Sequence, residues 1–249
     1  MKNTFNKVVV IGDVHGNPNW KLIVDNNPDA DLFVFVGDYV STHEDYTENQ
    51  QLDNLIEILE FKENNPERVI LLRGNHDLQH LGYYWAECSG FFPGVQKEMM
   101  KPELKDRYLR DTQWVIVLDD ICISHAGVTQ RWLMDAGLEN IEDINTLEPS
   151  ELFGFRPCKM SDYYGISQTQ GPTWIRPGTL VDYAVPGYRY IVGHTTMKHP
   201  LNYTEALKQN YPDDNYDNAA EVWDCDCRLN GYIVIENNEI RTEKLVKND

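Results

Sequence analysis

Short apolar runs punctuate the first half of the chain. Val8 to Ile11, Leu32 to Val36, Val69 to Leu72, Trp114 to Leu118 and Ile121 to Ser124 are runs of four or five residues, apolar or β-branched, bounded by Gly, Asp or Asn. Their length and composition predict buried strands. Between them, Leu52, Leu55, Ile56, Leu59 and Phe61 recur near helical spacing and predict a helix over Gln51 to Phe61, closed by Asn64-Asn65-Pro66 and Glu67. A second helical zone is predicted over Leu78 to Glu87 and Val95 to Leu109. Strands alternating with amphipathic stretches make an α/β fold. The second half adds strands at Arg189 to Val192, Gly231 to Ile235 and Ile240 to Leu245, with Glu236-Asn237-Asn238-Glu239 as a hairpin turn, so that end is antiparallel or mixed. Pro149 to Gly178 and Tyr203 to Ala220 are turn-rich and predict loops, neither of them an interdomain linker.

Two hundred and forty-nine residues without an internal repeat suit one domain over residues 1–249. The formal charge of −18 argues against non-specific nucleic-acid binding, which depends on Lys and Arg neutralising phosphates. No positively charged leader precedes an apolar stretch and no run of 18 apolar residues occurs, so the expectation is a cytoplasmic protein with no membrane association. Five cysteines, Cys88, Cys122, Cys158, Cys225 and Cys227, are too few for a disulfide framework and fit a reducing compartment. Cys225 and Cys227 would share a face of a strand, but a single C-x-C without a second pair does not make a zinc site.

The residues directly after each apolar run carry the chemistry. Gly12-Asp13-Val14-His15-Gly16 comes after the first, Gly37-Asp38 after the second, Arg73-Gly74-Asn75-His76-Asp77 after the third and His125-Ala126-Gly127 after the fifth, while Gly193-His194-Thr195 comes after the run ending at Val192. In open α/β sheets the functional crevice lies beyond the carboxyl ends of the strands, so these loops can meet at one site. Asp13, Asp38, Asn75, His15, His125 and His194 supply two carboxylates, an amide oxygen and three imidazoles, a ligand set for two metals. Mixed oxygen and imidazole donors suit Mn²⁺, Fe or Zn²⁺ better than Ca²⁺. Glycine beside each ligand permits sharp turns.

The GDxHG, GD, GNH, HAG and GH elements, in that order after successive strands, resemble the calcineurin-like metallophosphoesterases. Within them they resemble the phosphoprotein-phosphatase branch, which includes the small bacterial and phage serine/threonine phosphatases and the diadenosine tetraphosphatases. The likeness runs from about Val8 to Leu245. It implies a four-layer α/β/β/α sandwich with mixed sheets and a centre of two divalent ions, Mn²⁺ ahead of Fe or Zn²⁺. By the same resemblance Asp13, His15 and Asp38 hold the first ion, and Asp38, Asn75, His125 and His194 the second, Asp38 bridging. His76 is the general acid, and the Gly171 to Arg176 segment brings Arg176 to the substrate phosphate, with Arg73 and Asn75 as further substrate contacts. Trp223-Asp224-Cys225 followed by Asn230-Gly231 looks like the family's closing strand pair. Ser41 and Thr42 stand where that branch carries the Asp and Arg of GDxVDRG, and Glu44, Asp45 or Asp77 are the carboxylates near enough in sequence to replace the missing one.

The implied activity is hydrolysis of phosphate monoesters in a phosphoprotein, phosphopeptide or nucleotide by a metal-bridging hydroxide. Two rivals stay open: hydrolysis of phosphoanhydrides such as dinucleoside polyphosphates, and a metal-bound phosphate- or phosphopeptide-binding module with little turnover. Nothing in the sequence sets the oligomeric state.

Overall fold

The computed structural model describes residues 5–83, 88–149 and 164–246. One sheet has six strands in the order β11-β10-β1-β2-β3-β4, the other five in the order β5-β6-β7-β9-β8. Their spans are β1 Lys7–Ile11, β2 Leu32–Phe35, β3 Val69–Leu72, β4 Thr112–Gln113, β5 Val115–Leu118, β6 Ile121–Ser124, β7 Arg189–Val192, β8 Leu201–Asn202, β9 Val222–Asp224, β10 Gly231–Glu236 and β11 Glu239–Lys244. In the first sheet β1, β2 and β3 run parallel; in the second β6, β7 and β9 do. The β10–β11 hairpin turns through Asn237 and Asn238, both left-handed (φ 52° and 64°), as a two-residue primed turn demands.

The period of two along the strands builds the layers. Val8, Val10, Leu32 and Val34 point one way and meet Ile121, Ile123 and Ile191 of the second sheet in a dry inter-sheet core. Val9, Ile11, Phe33 and Phe35 point the other way and are covered by α1 (Trp20–Asp25), α2 (Glu48–Asn64), α4 (Pro93–Met99) and α5 (Pro102–Asp111). The outer face of the second sheet buries Val115, Cys122, Tyr190 and Val192 against α6 (Gln130–Asp135), the 3₁₀ turn Ile141–Thr146 and α7 (Pro177–Tyr183). Three apolar interfaces thus separate four layers, in the expected α/β/β/α order. Among the described residues no helix is long and apolar enough to cross a membrane.

Several elements depart from the sequence expectations. The α2 helix begins three residues before Gln51, because Thr47 and Gln50 form a reciprocal capping box (Gln50 N to Thr47 Oγ1, 3.3 Å; Thr47 N to Gln50 Oε1, 2.9 Å). The stretch Val95 to Leu109 splits into α4 and α5 at Pro102, which opens the second helix from its first position. Helix α3 (Asn75–His80) starts inside the third motif and stops short of the predicted Glu87; residues 84–87 lie outside the described residues. Of the two stretches read as loops, the first runs into α7, which opens at Pro177, and the second contains α8 (Tyr203–Asn210), capped by Asn202 Oδ1 on Glu205 N at 3.0 Å. Residues 150–163 of the first of those stretches also lie outside the described residues.

Candidate metal centre

Because β1, β2, β3, β6 and β7 end at one edge of the sandwich, the residues just beyond them converge. Asp13, His15, Asp38, Asn75, His76 and His194 all border a cavity of about 240 Å³, with His125 buried beneath it. The turns that deliver them are tight: His15, Asp38 and His194 sit at left-handed φ (49°, 52° and 67°), a conformation non-glycine residues adopt at some cost. Two glycines make room for carboxylates from other strands rather than for an anion. A Cβ on Gly74 would fall on Asp38 Oδ1, and one on Gly193 would fall on Asp13 Oδ1.

The hydrogen bonds at the back of each imidazole determine what its front can do. His125 Nδ1 lies 2.9 Å from the Val36 carbonyl, which only accepts, so Nδ1 carries the hydrogen. Burial holds the His125 pKa down to about 3, so the ring is neutral and Nε2 is a bare lone pair. That lone pair faces Asn75 Oδ1 at 2.9 Å and Asp38 Oδ2 at 3.4 Å. His194 Nδ1 is also 2.9 Å from Asn75 Oδ1, whose amide nitrogen points instead at Cys88 Sγ, 3.5 Å away. His15 repeats the pattern: Nδ1 donates to the Val40 carbonyl at 3.1 Å, and Nε2 faces Asp13 Oδ2 and Asp38 Oδ2, each at 3.9 Å.

Acceptors facing acceptors in a buried site repel unless a cation lies between them. Neighbouring ligands about 2.1 Å from one ion lie roughly 3.0–3.4 Å apart, close to the separations around His125. Carboxylate, amide and imidazole donors suit a divalent cation, and Asp38 belongs to both groupings: Asp13 with Asp38 and His125, and His15 with Asp38 and His76, have ligand atoms within 4.8 Å of one another. Burial, then neighbouring carboxylates, push Asp13 and Asp38 well above the ordinary carboxylate range. Burial, then Arg176, pushes His194 well below its own. A positive ion reverses both penalties.

His76 borders the cavity with Nε2 4.0 Å from Asp38 Oδ2 and its ring edge-on to His15, centroids 5.1 Å apart. Its Nδ1 is buried and has no partner among the described residues. Ser41 does not reach it, since its hydroxyl lies 3.4 Å from His80 Nδ1. Nor does Asp77, whose carboxylate accepts the backbone N–H groups of Asp38 (2.9 Å), Tyr39 (2.8 Å) and Gly74 (3.2 Å) and so fastens the second motif to the third. Arg176 borders the cavity, with Nη1 donating to the His194 carbonyl (3.2 Å) and to Thr195 Oγ1 (3.0 Å).

Arg73 does not join the site. Its guanidinium donates to the Leu109 carbonyl (2.8 Å), the Thr112 carbonyl (2.9 Å) and Thr112 Oγ1 (3.0 Å) and lies over the Trp114 ring at 4.6 Å, which corrects its expected contact with substrate. The thiols of Cys225 and Cys227 donate to the carbonyls of Val192 (3.1 Å) and Gly231 (3.4 Å) rather than facing one metal. Two residues escaped the sequence reading. Asp224 and Asp226, at the exit of β9, are buried beside Asp13. The signal was present, because they come at the end of an apolar strand as the other candidate ligands do.

No curated protein matches the chain. Among solved structures, a cold-active protein-tyrosine phosphatase of a psychrophilic Shewanella species has a TM-score of 0.62 at 16% identity, with 98% of this chain and 82% of that one covered. A protein serine/threonine phosphatase from Saccharomyces cerevisiae gives 0.59 at 12%, covering 98% and 81%, and a metallophosphoesterase from Sphaerobacter thermophilus gives 0.54 at 14%, covering 98% and 89%. These likenesses establish the sandwich fold. The model of the calcineurin-like phosphoesterase family matches residues 6–216, and with that span the chain belongs to this family.

Proposed function

We propose that the chain is a phosphatase dependent on two divalent metal ions and that it hydrolyses phosphate monoesters. The observation that carries this reading is the convergence of bare acceptors, His125 Nε2, Asn75 Oδ1 and Asp38 Oδ2, on one buried point beside a second such grouping around His15. Asp13, His15 and Asp38 would hold one ion, and Asp38, Asn75, His125 and His194 the other. Two such ions supply Lewis acidity toward phosphoryl oxygens and an acidified water as nucleophile. Mn²⁺ is the first choice for a set with so many oxygen donors.

The chain's own side chains do the rest. Arg176, held to the His194 loop by its two Nη1 bonds, offers its remaining donors to a phosphoryl oxygen. His76 lies on the cavity wall next to Asp38 and supplies the proton taken by the leaving oxygen. The likeness in fold to a protein-tyrosine phosphatase and a protein serine/threonine phosphatase supports phosphorylated protein hydroxyls as the substrates.

The test is hydrolysis of p-nitrophenyl phosphate by metal-stripped protein given Mn²⁺, Zn²⁺ or Mg²⁺, with Asp38→Asn as control. Activity that returns with metal in the parent and not in the variant is expected. No turnover in any metal, with two ions bound, would overturn the phosphatase reading. Turnover of diadenosine tetraphosphate far above that of phosphopeptides would move the substrate to phosphoanhydrides.

A further inference from the structure

The floor of the cavity carries more negative charge than the expected ligands provide. Asp226 is 1% exposed and borders the same cavity as Asp13 and His15. Its neighbourhood is fixed by close packing, because a Cβ on Gly12, the residue before Asp13, would come within 3.3 Å of Asp226 Cα. One carboxylate oxygen, Oδ2, accepts the Thr196 hydroxyl at 2.8 Å, and the Asp226 backbone carbonyl accepts the Met197 N–H at 2.7 Å, so the side chain is anchored from the loop just past His194. The other oxygen, Oδ1, is buried and has no hydrogen-bond partner among the described residues. Asp224 is in the same position: Oδ1 accepts the Asp226 N–H at 2.9 Å, while Oδ2 is buried without a partner among them.

A buried carboxylate oxygen with nothing to accept is costly, and two of them beside Asp13 and Asp38 repel one another as well. The guanidinium whose charge acts on all of Asp13, Asp224 and Asp226 is that of Arg176, and its Nη1 is already committed to His194 and Thr195. The exposed Arg228 also borders the cavity, and two positive charges do not offset four buried carboxylates, whereas two divalent ions would.

We propose that Asp226 is a further carboxylate of the metal centre, its charge supporting, from just outside the ligand set, the ion held by Asp13, His15 and Asp38, with its Oδ2 locked by Thr196. The assignment rests on the metal-dependent reading above and extends it. With Asp226 beside it, the first position has two carboxylates and one imidazole as ligands and a third carboxylate next to them, while the second has one shared carboxylate, one amide and two imidazoles. The first position therefore selects a hard cation such as Mn²⁺ or Mg²⁺, and the second tolerates Zn²⁺.

The experiment compares the full chain with Asp226→Asn in Mn²⁺ titrations followed by calorimetry and Mn²⁺ electron paramagnetic resonance, together with thermal melts of the metal-free forms. The variant should lose about 10–100-fold in affinity at one of the two Mn²⁺ positions, the range typical for groups that support a metal site from outside its ligand set. Its metal-free form should melt about 2–4 °C higher, since removing one of several like charges relieves repulsion. Unchanged affinity at both positions would overturn the assignment, most directly if the metal-free variant melts lower, which is the result for a carboxylate that merely receives the Thr196 hydroxyl. If Asp226→Asn does not fold, Thr196→Val keeps the charge and frees the side chain. A several-fold loss at the same position then supports the assignment, and no change overturns it. Failure of the parent chain to bind any Mn²⁺ would instead overturn the metal centre as a whole.

Discussion

Gly74 and Gly187 separate the two reasons a fold needs glycine, and substituting each by alanine tests how the centre is built. Gly74 has an ordinary φ of −101°, so alanine there costs nothing in backbone conformation. Its new methyl, however, falls on Asp38 Oδ1, the oxygen that accepts the His76 N–H at 2.9 Å. The same methyl would also fall on the backbone nitrogen of Asp38, so rotating the carboxylate does not suffice: the two loops must separate, with overpacking costing about 1–3 kcal/mol, and the Oδ1 hydrogen bond, worth about 1.5–3 kcal/mol, is lost as well. Together these cost Gly74→Ala about 2.5–6 kcal/mol, and at roughly 2–4 °C per kcal/mol for a chain of this size the melting point drops by at least about 5 °C. Gly187 is the converse case, with φ +91° and nothing within 4 Å of an added Cβ. Alanine there bears only the cost of the left-handed backbone, about 1–2 kcal/mol, and leaves the site alone. Thermal melts and Mn²⁺-dependent hydrolysis of p-nitrophenyl phosphate are the assays. Gly74→Ala should lose about 100-fold or more in turnover, the usual consequence of misplacing a reacting group by about 1 Å, while Gly187→Ala keeps its rate. Equal melting points for the two variants, or full activity in Gly74→Ala, would refute the idea that Gly74 exists to seat the Asp38 carboxylate.

The same geometry sets three further outcomes. Stripping and restoring Mn²⁺ should move the melting point by about 10–20 °C, because two sites each filled at about 100 times their Kd contribute roughly 2.7 kcal/mol apiece; a shift under 2 °C in a folded protein, or an equal shift in Asp38→Asn, would contradict the shared-ligand arrangement. Arg73→Met should lower the melting point by about 6–12 °C, since it strands the Leu109 and Thr112 carbonyls and removes the contact with Trp114, and should leave KM unchanged; a raised KM at unchanged stability would return Arg73 to the substrate. Arg176→Lys should raise KM about tenfold with little change in melting point, because a lysine cannot hold the His194 carbonyl and a phosphoryl oxygen in one planar fork; an unchanged KM would remove Arg176 from substrate binding.

The central strands were legible because they are buried on both faces, and such strands are written as continuous apolar runs. The edge strands β4 and β8, two residues each, leave no run to read. Helices α7 and α8 were hidden by composition: the Gly, Pro and Tyr around them signal turns, although Pro177 is itself a helix start and Asn202 a cap. At the site, each candidate ligand is legible from its place after a strand. Arg73 has the same kind of place, yet its side chain is drawn to Trp114 and the end of α5, contacts distant in sequence that no local pattern encodes. Asp226 lies between Cys225 and Cys227, where the local pattern is a C-x-C pair, although both thiols donate to carbonyls.

An acidic protein that binds an anionic group needs a local reversal of sign, and the centre has the means to produce it. Burial and mutual repulsion oppose the ionisation of Asp13, Asp38 and Asp224 while no cation is present, and Asp226 is buried beside them. Two divalent ions would offset all four carboxylates, and the guanidiniums of Arg176 and Arg228 would then outweigh Glu44 at the cavity. The sign at the site therefore depends on metal occupancy while the rest of the surface stays negative. Phosphate affinity should track metal loading and be lost on chelation, and competitive inhibition by inorganic phosphate, measured as Mn²⁺ is raised, reads that coupling. Inhibition already present in the metal-free protein would show that Arg176 and Arg228 attract the anion unaided and that the balance of four carboxylates against two ions is not what sets the field.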